Sequence, residues 1–156
     1  MNIVYLNGKF LPIERASISP MDRGFLFGEG IYEVIPSYGG RLVGFDPHIN
    51  RMQTGLTELK IDISLTAKEW LEIINKLLEQ NDTDNLGIYL QVTRGADTRR
   101  YHAYPEGITP TIFAYTFEIP PAPTANKMIA PKFSCATAED KRWDRCNIKS
   151  TSLLGN

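Results

Sequence analysis

The residue best suited to covalent chemistry in this sequence is Lys149, within the stretch Asn147 to Asn156. It stands among amide and hydroxyl residues, just before the apolar pair Leu153 and Leu154. A lysine amine attacks a carbonyl carbon only when neutral, and desolvation or a neighbouring cation favours that form. The other interpretation is an exposed surface charge, since ammonium groups are rarely buried without a partner.

Basic side chains elsewhere could bind an anion. Arg51 lies near the edge of the apolar face of a predicted helix, where its planar guanidinium could bind phosphate or carboxylate, or simply face solvent. The segment Arg99-Arg100-Tyr101-His102 places two guanidiniums and an imidazole beside a strand end. Functional loops commonly lie at such ends, so this segment could bind a substrate carboxylate or be an ordinary solvated loop.

A glycine-rich stretch runs from Asp22 to Val34 and contains Tyr32. Its glycines do not have the spacing of the dinucleotide-binding fingerprint, and no strand, turn and helix surround them. The stretch therefore favours a tight connection that feeds a strand. Tyr32 could line a pocket or pack as a strand aromatic.

Composition limits the classes of function. With 156 residues, 42% of them hydrophobic, the chain can bury a core. Its net charge of −1 gives no field that would favour nucleic acid or a membrane surface, so a small molecule or a protein is the expected partner. Two cysteines, no secretory signal and no long apolar run indicate a cytoplasmic protein. His48 and His102 are too far apart in sequence for a typical zinc site, so we expect no metal.

Two hairpins are predicted in the first third of the chain. Asn7-Gly8 joins Ile3–Leu6 to Lys9–Leu11, and this dipeptide tolerates the positive φ angles of a type I′ turn. Gly39-Gly40 separates the strand 30–38 from the segment 41–45. We expect an antiparallel sheet to begin here.

Two helices should follow these hairpins. Asp46-Pro47 predicts the first, with Asp46 as N-cap and Pro47 at the first helical position. The second opens with Thr66-Ala67-Lys68-Glu69, a capping box. Its apolar residues repeat at helical spacing; they are Trp70, Ile73, Ile74, Leu77 and Leu78.

The remaining strands complete an α+β fold: a small domain of antiparallel sheet with two helices, followed by the first strands of a truncated larger domain. Alternating residues predict a strand at 88–94, and 111–117 is a plausible antiparallel neighbour. Clustered prolines place a domain boundary, with domain 1–119, linker 120–127 and an incomplete domain 128–156. Further strands are possible at 128–135 and 146–149.

Five motifs in order identify a resemblance. They are Phe-Gly-Glu-Gly-Ile-Tyr-Glu-Val, His48-Ile-Asn-Arg51, Gln91-Val-Thr-Arg-Gly95, Arg100-Tyr-His102 and Asn147-Ile-Lys-Ser150. The set resembles the fold-type IV pyridoxal-phosphate enzymes, which include D-amino-acid aminotransferases, branched-chain aminotransferases and aminodeoxychorismate lyases. Within that family the chain looks most like the D-amino-acid aminotransferases, which implies transfer of an amino group from a D-amino acid to a 2-oxo acid.

The resemblance implies a role for individual residues. Lys149 matches the lysine that forms the Schiff-base linkage to pyridoxal phosphate, and Arg51 matches the arginine that binds its phosphate. Tyr32 matches a tyrosine of the substrate pocket. Arg100 and His102 match a pair that holds the substrate carboxylate from across a homodimer interface, although one extra residue before Arg100 leaves Arg99 as a competitor for this role.

Two further expectations come from the same resemblance. Arg142 matches an arginine near the cofactor. Family members continue well past the lysine, so we expect this chain to be a truncated or excised piece with little or no transaminase activity. A branched-chain aminotransferase, an aminodeoxychorismate lyase and a non-catalytic dimerising domain remain as alternatives.

Overall fold

The computed structural model describes residues 2–81, 83–126, 128–140 and 142–154. Lys127 of the predicted linker and Gly155 and Asn156 of the lysine stretch lie outside them. Within the described residues the chain forms one six-stranded antiparallel sheet and three α-helices. In chain order the elements are β1 (Ile3–Leu6), β2 (Lys9–Pro12), α1 (Arg23–Phe27), β3 (Gly30–Tyr38), β4 (Arg41–Leu42), α2 (Phe45–Glu58), α3 (Ala67–Gln80), β5 (Asn85–Thr93) and β6 (Thr111–Glu118).

The sheet has the order β2-β1-β6-β5-β3-β4, with every neighbouring pair antiparallel. The first hairpin forms as predicted, with φ angles of 46° at Asn7 and 87° at Gly8. The long strand β3, next to the edge strand β4, pairs with β5 along its whole length, from Gly30 opposite Thr93 to Tyr38 opposite Asn85. The α+β prediction is confirmed for this sheet.

The core lies between one face of the sheet and the helices α2 and α3. Alternation buries Ile31 and Ile35 of β3, and both are fully inaccessible to solvent. They pack in one cluster with Met52 and Leu56 of α2 and with Trp70 of α3. Each such side chain stabilises the fold by about 1.5–3 kcal/mol through the apolar area that it buries.

The two long helices differ in how they begin. In α3 the predicted capping box is present: the Thr66 hydroxyl accepts from the Glu69 amide, and the Glu69 carboxylate accepts from the Thr66 amide. In α2 the prediction was wrong, because the N-cap is Gly44, with φ 66°, and Asp46 makes no capping hydrogen bond. Asp46 instead lies in the first helical turn, where a negative charge favours the positive end of the helix dipole.

A third helix was missed. The segment predicted to be a tight connection contains α1, whose N-cap is Asp22 and whose end is set by Gly28 in the left-handed conformation. A helix of five residues shows too little periodicity for a pattern to reveal it. The Asp22 side chain accepts from the Gly24 amide at 2.8 Å and from the Thr111 hydroxyl at 2.6 Å, which ties α1 to the sheet.

The two further strands expected beyond the prolines do not form within the described residues. Asn126 begins a turn: its side-chain oxygen accepts a hydrogen bond from the Met128 amide, and its carbonyl accepts from the amides of Ile129 and Ala130. Pro131 then lacks the donor that a ladder would need. A second turn spans 144–147, and sheet pairing resumes only at Ser150, which forms an isolated antiparallel bridge with Ile31. No helix of the described residues is long and apolar enough to cross a membrane.

Candidate active site

A cavity of about 450 Å³ opens at the beginning of β3, beside the segment that carries Lys149. Four of the residues selected from the sequence line it, namely Tyr32, Arg51, Arg142 and Lys149. Other lining residues come from the same segment as Lys149 and include Ser150 and Ser152. The fold therefore brings together a primary amine, two guanidiniums and a phenol.

The main chain fixes the position of Lys149. The Tyr32 amide donates to the Lys149 carbonyl at 3.1 Å, and the Thr151 amide donates to the Gly30 carbonyl at 2.9 Å. Residues 149–151 thus lie along the start of β3, on the edge opposite β5. The Lys149 Nζ lies 3.9 Å from the centroid of the Tyr32 ring, where the negative face of the ring attracts a cation.

Arg51 is oriented by a carboxylate that sequence reasoning did not select. Its Nε and Nη2 donate to the two oxygens of Glu33 at 2.6 and 2.7 Å. The Glu33 side chain is fully buried, whereas that of Arg51 is 48% exposed. The pair therefore leaves one end of the guanidinium facing the cavity, and within the described residues the Arg51 Nη1 makes no hydrogen bond.

His48, one helical turn before Arg51, is a second partner of Glu33. Its Nδ1 lies 2.7 Å from the Glu33 Oε2. Burial alone would raise the pKa of Glu33, but the hydrogen bonds from Arg51 and His48 outweigh it, so the pKa is lowered. An ionised carboxylate only accepts hydrogen bonds, which places the proton of this contact on the imidazole.

A signal for Glu33 was present in the sequence. Strand alternation puts it on the same face as Ile31 and Ile35, so a charged residue occupies a core position of β3. A buried charge requires a partner. The helix that packs on β3 offers Arg51 and His48 at helical spacing, and this combination would have revealed the cluster.

Arg142 lines the cavity and is held by a neighbour two residues earlier. Its Nε and Nη2 donate to the Asp140 carboxylate at 3.0 and 2.8 Å. Hydrogen bonds from Arg142 lower the pKa of Asp140 to about 2. Both residues are exposed, so this pair orders a surface segment and contributes little to global stability.

Arg100 and His102 do not line this cavity. Their side chains lie instead on the ring of Phe27, with the Arg100 Cζ 4.9 Å and the His102 ring centroid 5.5 Å from the Phe27 centroid. Arg99 lies over a different ring, with its Cζ 5.4 Å from the centroid of Tyr101. Arg100 and His102 thus share the Phe27 ring, and Arg99 lies over a different ring.

A second buried charge cluster lies beneath the loop that carries Arg100. Glu29 accepts from Arg23 at 2.7 and 2.9 Å and also pairs with Arg94. Burial would raise the pKa of Glu29, but the bonds from the two arginines lower it. The Arg94 guanidinium donates to the carbonyls of Leu59 and Lys60, so the cluster joins the loop to the end of α2.

The fold is shared with solved aminotransferases. A branched-chain amino acid aminotransferase from Escherichia coli superposes with a TM-score of 0.71 over 76% of this chain and 41% of that chain, at 17% identity. A branched-chain aminotransferase from the thermophilic archaeon Thermoproteus uzoniensis, solved with norvaline, superposes with a TM-score of 0.66 over 76% of this chain and 41% of that one, at 16% identity. At these identities the likeness defines the fold.

Sequence relatives then define the family. Residues 30–156 match the model of the family described as amino-transferase class IV, and the chain belongs to that family. D-alanine aminotransferases from Staphylococcus epidermidis and Bacillus licheniformis are each 40% identical to it, over 100% and 98% of this chain. The chain spans about half the length of these relatives, 54% and 53% respectively.

Proposed function

We propose that this chain supplies the lysine and the phosphate-binding arginine of a pyridoxal-phosphate-dependent aminotransferase. The reaction is transfer of the amino group of a D-amino acid to a 2-oxo acid. The observation that carries the proposal is the convergence of Lys149 and Arg51 on one cavity, with Arg51 held in place by Glu33. The D-amino acid is favoured over a branched-chain L-amino acid because the relatives at 40% identity are D-alanine aminotransferases.

The donors of the cavity fit the proposed cofactor. Arg51 binds Glu33 through one edge of its guanidinium, so its other end can donate to a phosphate. The amine of Lys149 lies in the same cavity, and the hydroxyls of Ser150 and Ser152 add polar groups to its wall. Lys149 would hold the cofactor covalently at its aldehyde, and Arg51 would hold its phosphate.

The chemistry divides between cofactor and protein. When bound, pyridoxal phosphate supplies an electrophilic aldehyde and a ring that withdraws electrons. The free amine of Lys149 would accept the proton from the substrate Cα and would donate it to the former aldehyde carbon of the cofactor. Its contact with the Tyr32 ring keeps the amine beside the substrate pocket. Arg142, held by Asp140, adds positive charge to the same wall.

Arg100 and His102 belong to a different part of the proposed enzyme. Both side chains are exposed and lie outside the cavity of Lys149. They suit a role in which a homodimer places them at the site of the second subunit, where they bind the substrate carboxylate. The proposal also includes a cytoplasmic location.

The organisation of the chain is part of the same proposal. The last strand ends at Glu118, just before the clustered prolines Pro120, Pro121 and Pro123. We assign residues 1–119 to one domain, 120–127 to a linker and 128–156 to the beginning of the domain that completes the cofactor site. Lys149 would then be the point at which the second domain contacts β3 of the first.

The experiment is reductive trapping on the full 156-residue chain. The purified protein is mixed with pyridoxal phosphate and reduced with borohydride, and the modified peptide is identified by mass spectrometry. The expected result is one major adduct on Lys149 that is lost in Lys149→Ala. Lys68 is the control, because its side chain is 86% exposed on α3 and reports non-specific modification.

Two outcomes would contradict the assignment of Lys149. One is an adduct spread equally over Lys149 and Lys68, and the other is an unchanged adduct yield in Lys149→Ala. Inorganic phosphate should compete with trapping if Arg51 binds the cofactor phosphate. Equal competition in Arg51→Gln would show that another group binds it.

A further inference from the structure

The ring of Phe27, the last residue of α1, is surrounded by three basic side chains. The Arg23 Cζ lies 4.7 Å and the Arg100 Cζ 4.9 Å from its centroid. The His102 ring meets it edge to face, at 5.5 Å and an angle of 64°. Arg100 and His102 are two residues apart on an exposed loop, and one aromatic ring holds both.

The main chain of this loop is anchored separately, from below. The buried Arg23 donates to the carbonyls of Tyr101 and His102 at 2.6 and 3.3 Å, while Glu29 binds its remaining edge. These bonds fix the backbone of the loop, but they leave the Arg100 and His102 side chains free to rotate. Within the described residues neither side chain makes a hydrogen bond or an ion pair, so the Phe27 ring is what limits that rotation.

We propose that Phe27 is a positioning residue that orders Arg100 and His102 as a pair of donors for a carboxylate. Its negative face attracts the Arg100 guanidinium, and the His102 ring packs against it edge to face, so both side chains are held at the ring without losing their outward N–H groups. Because the two donors are already ordered, binding of a carboxylate to both costs less side-chain conformational entropy. The inference rests on the proposed function only in taking the ligand to be a substrate carboxylate.

The same helix provides a matched control. Phe25 lies two residues before Phe27, is 77% exposed and makes no ring contact within the described residues. Phe27→Leu and Phe25→Leu therefore each remove one phenyl ring from the same helix, but only Phe27→Leu removes the ring that contacts Arg100 and His102. Phe27→Tyr keeps an aromatic face and should preserve the function of the position.

The measurement is an NMR titration of the full chain with pyruvate, the simplest 2-oxo acid, at constant ionic strength. The chain has two histidines, so its imidazole protons give two sets of signals, and His102→Gln assigns one of them. We expect a saturable shift of the His102 signals in the wild type, in Phe25→Leu and in Phe27→Tyr. In Phe27→Leu the Kd should rise about threefold to tenfold, the size of one or two exposed cation–π contacts.

Four results would overturn the inference: an unchanged Kd in Phe27→Leu, an equal loss in Phe25→Leu, a Phe27→Tyr variant as weak as Phe27→Leu, and no response of His102 in the wild type. Should Phe27→Leu fail to fold by circular dichroism, Phe27→Tyr and nuclear Overhauser contacts between the Phe27 and His102 rings in the wild type decide it. Absence of those contacts would also overturn it.

The inference and the proposed function fail separately. Trapping on Lys149 does not involve Phe27, so it should proceed equally in Phe27→Leu and in the wild type. If the chain binds pyruvate at His102 and the Kd rises in Phe27→Leu, but no adduct forms on Lys149, the proposed function is contradicted and the role of Phe27 is supported.

Discussion

Arg51 and Glu33 form a two-point ion pair that joins the helix α2 to the core face of the strand β3. The carboxylate is fully buried and the guanidinium is half exposed. Arg51 therefore compensates the buried negative charge of Glu33, and Glu33 fixes the orientation of the Arg51 guanidinium. The pair serves the fold and the cavity together.

Removing Arg51 should destabilise the protein far more than removing an arginine from a surface pair. Arg51→Ala leaves a buried carboxylate with only His48, which we expect to cost about 2 kcal/mol. Arg145→Ala breaks a pair with Glu58 in which both side chains are about half exposed, and should cost under about 1 kcal/mol. Urea unfolding of the two variants measures the difference. Equal losses would show that the burial of Glu33 carries no penalty.

Arg51 should also govern affinity for the cofactor. In Arg51→Gln the loss of a charged donor to phosphate should weaken pyridoxal phosphate binding about tenfold or more. Arg15→Gln is the control, since Arg15 is an exposed arginine in a short 3-10 helix near the other end of the sheet. Fluorescence titration at constant ionic strength measures both. A similar loss in the two variants would point to a general effect of net charge.

Stability should fall in acid because of two carboxylates held by basic partners: Glu33, which is fully buried, and Glu29, whose side chain is 18% exposed. The pKa values of Glu29 and Glu33 in the folded protein lie below the ordinary value of 4.5. The unfolded chain therefore binds these protons first, so the stabilisation is complete above about pH 5 and is lost as the pH falls through the folded-state values. Urea unfolding between about pH 7 and about pH 3 should show this decline, and Glu33→Gln should flatten it. A decline of the same slope in Glu33→Gln and in Glu29→Gln as in the wild type would contradict the assignment.

Substitutions at two glycines with positive φ should distinguish the cost of backbone strain from the cost of steric crowding. Gly40 has a φ of 76°, and no atom lies within 4 Å of an added Cβ. Gly40→Ala should therefore cost about 1–2 kcal/mol from backbone strain alone. Gly95 has a φ of 100°, and an added Cβ would lie 1.9 Å from the Thr109 carbonyl oxygen. Gly95→Ala should cost more than about 3 kcal/mol, because the backbone itself must move. Thermal unfolding compares them, and equal costs would show that residues 108–109 adjust freely.

Local chemistry predicted much of the fold. Asn7-Gly8 formed its hairpin because two positive φ angles suit few other dipeptides, and Thr66 with Glu69 capped α3 through bonds confined to one turn. The errors arose where side-chain preference or periodicity does not decide the outcome. The N-cap of α2 fell on Gly44, where the chain leaves β4, and not on the better side chain at Asp46.

The site was predictable in part for a similar reason. Motif order selected Arg51 and Lys149, and both line one cavity. Glu33 and Phe27 both lie within the first motif, but they were not selected, because a motif does not show which residues are in contact. The contacts of Glu33 with α2, and of Phe27 with the loop of His102, exist only once the sheet has formed.

The beginning of β3 fixes Lys149 and Arg51 through two successive residues. Tyr32 holds the main chain of Lys149, and Glu33 holds the guanidinium of Arg51. Since successive strand residues point to opposite faces, a shift of β3 by one residue against β5 would exchange the faces of Tyr32 and Glu33. The lysine would lose the tyrosine ring and the arginine would lose its carboxylate in the same event. Strand register thus sets the spacing between the Lys149 amine and the Arg51 guanidinium.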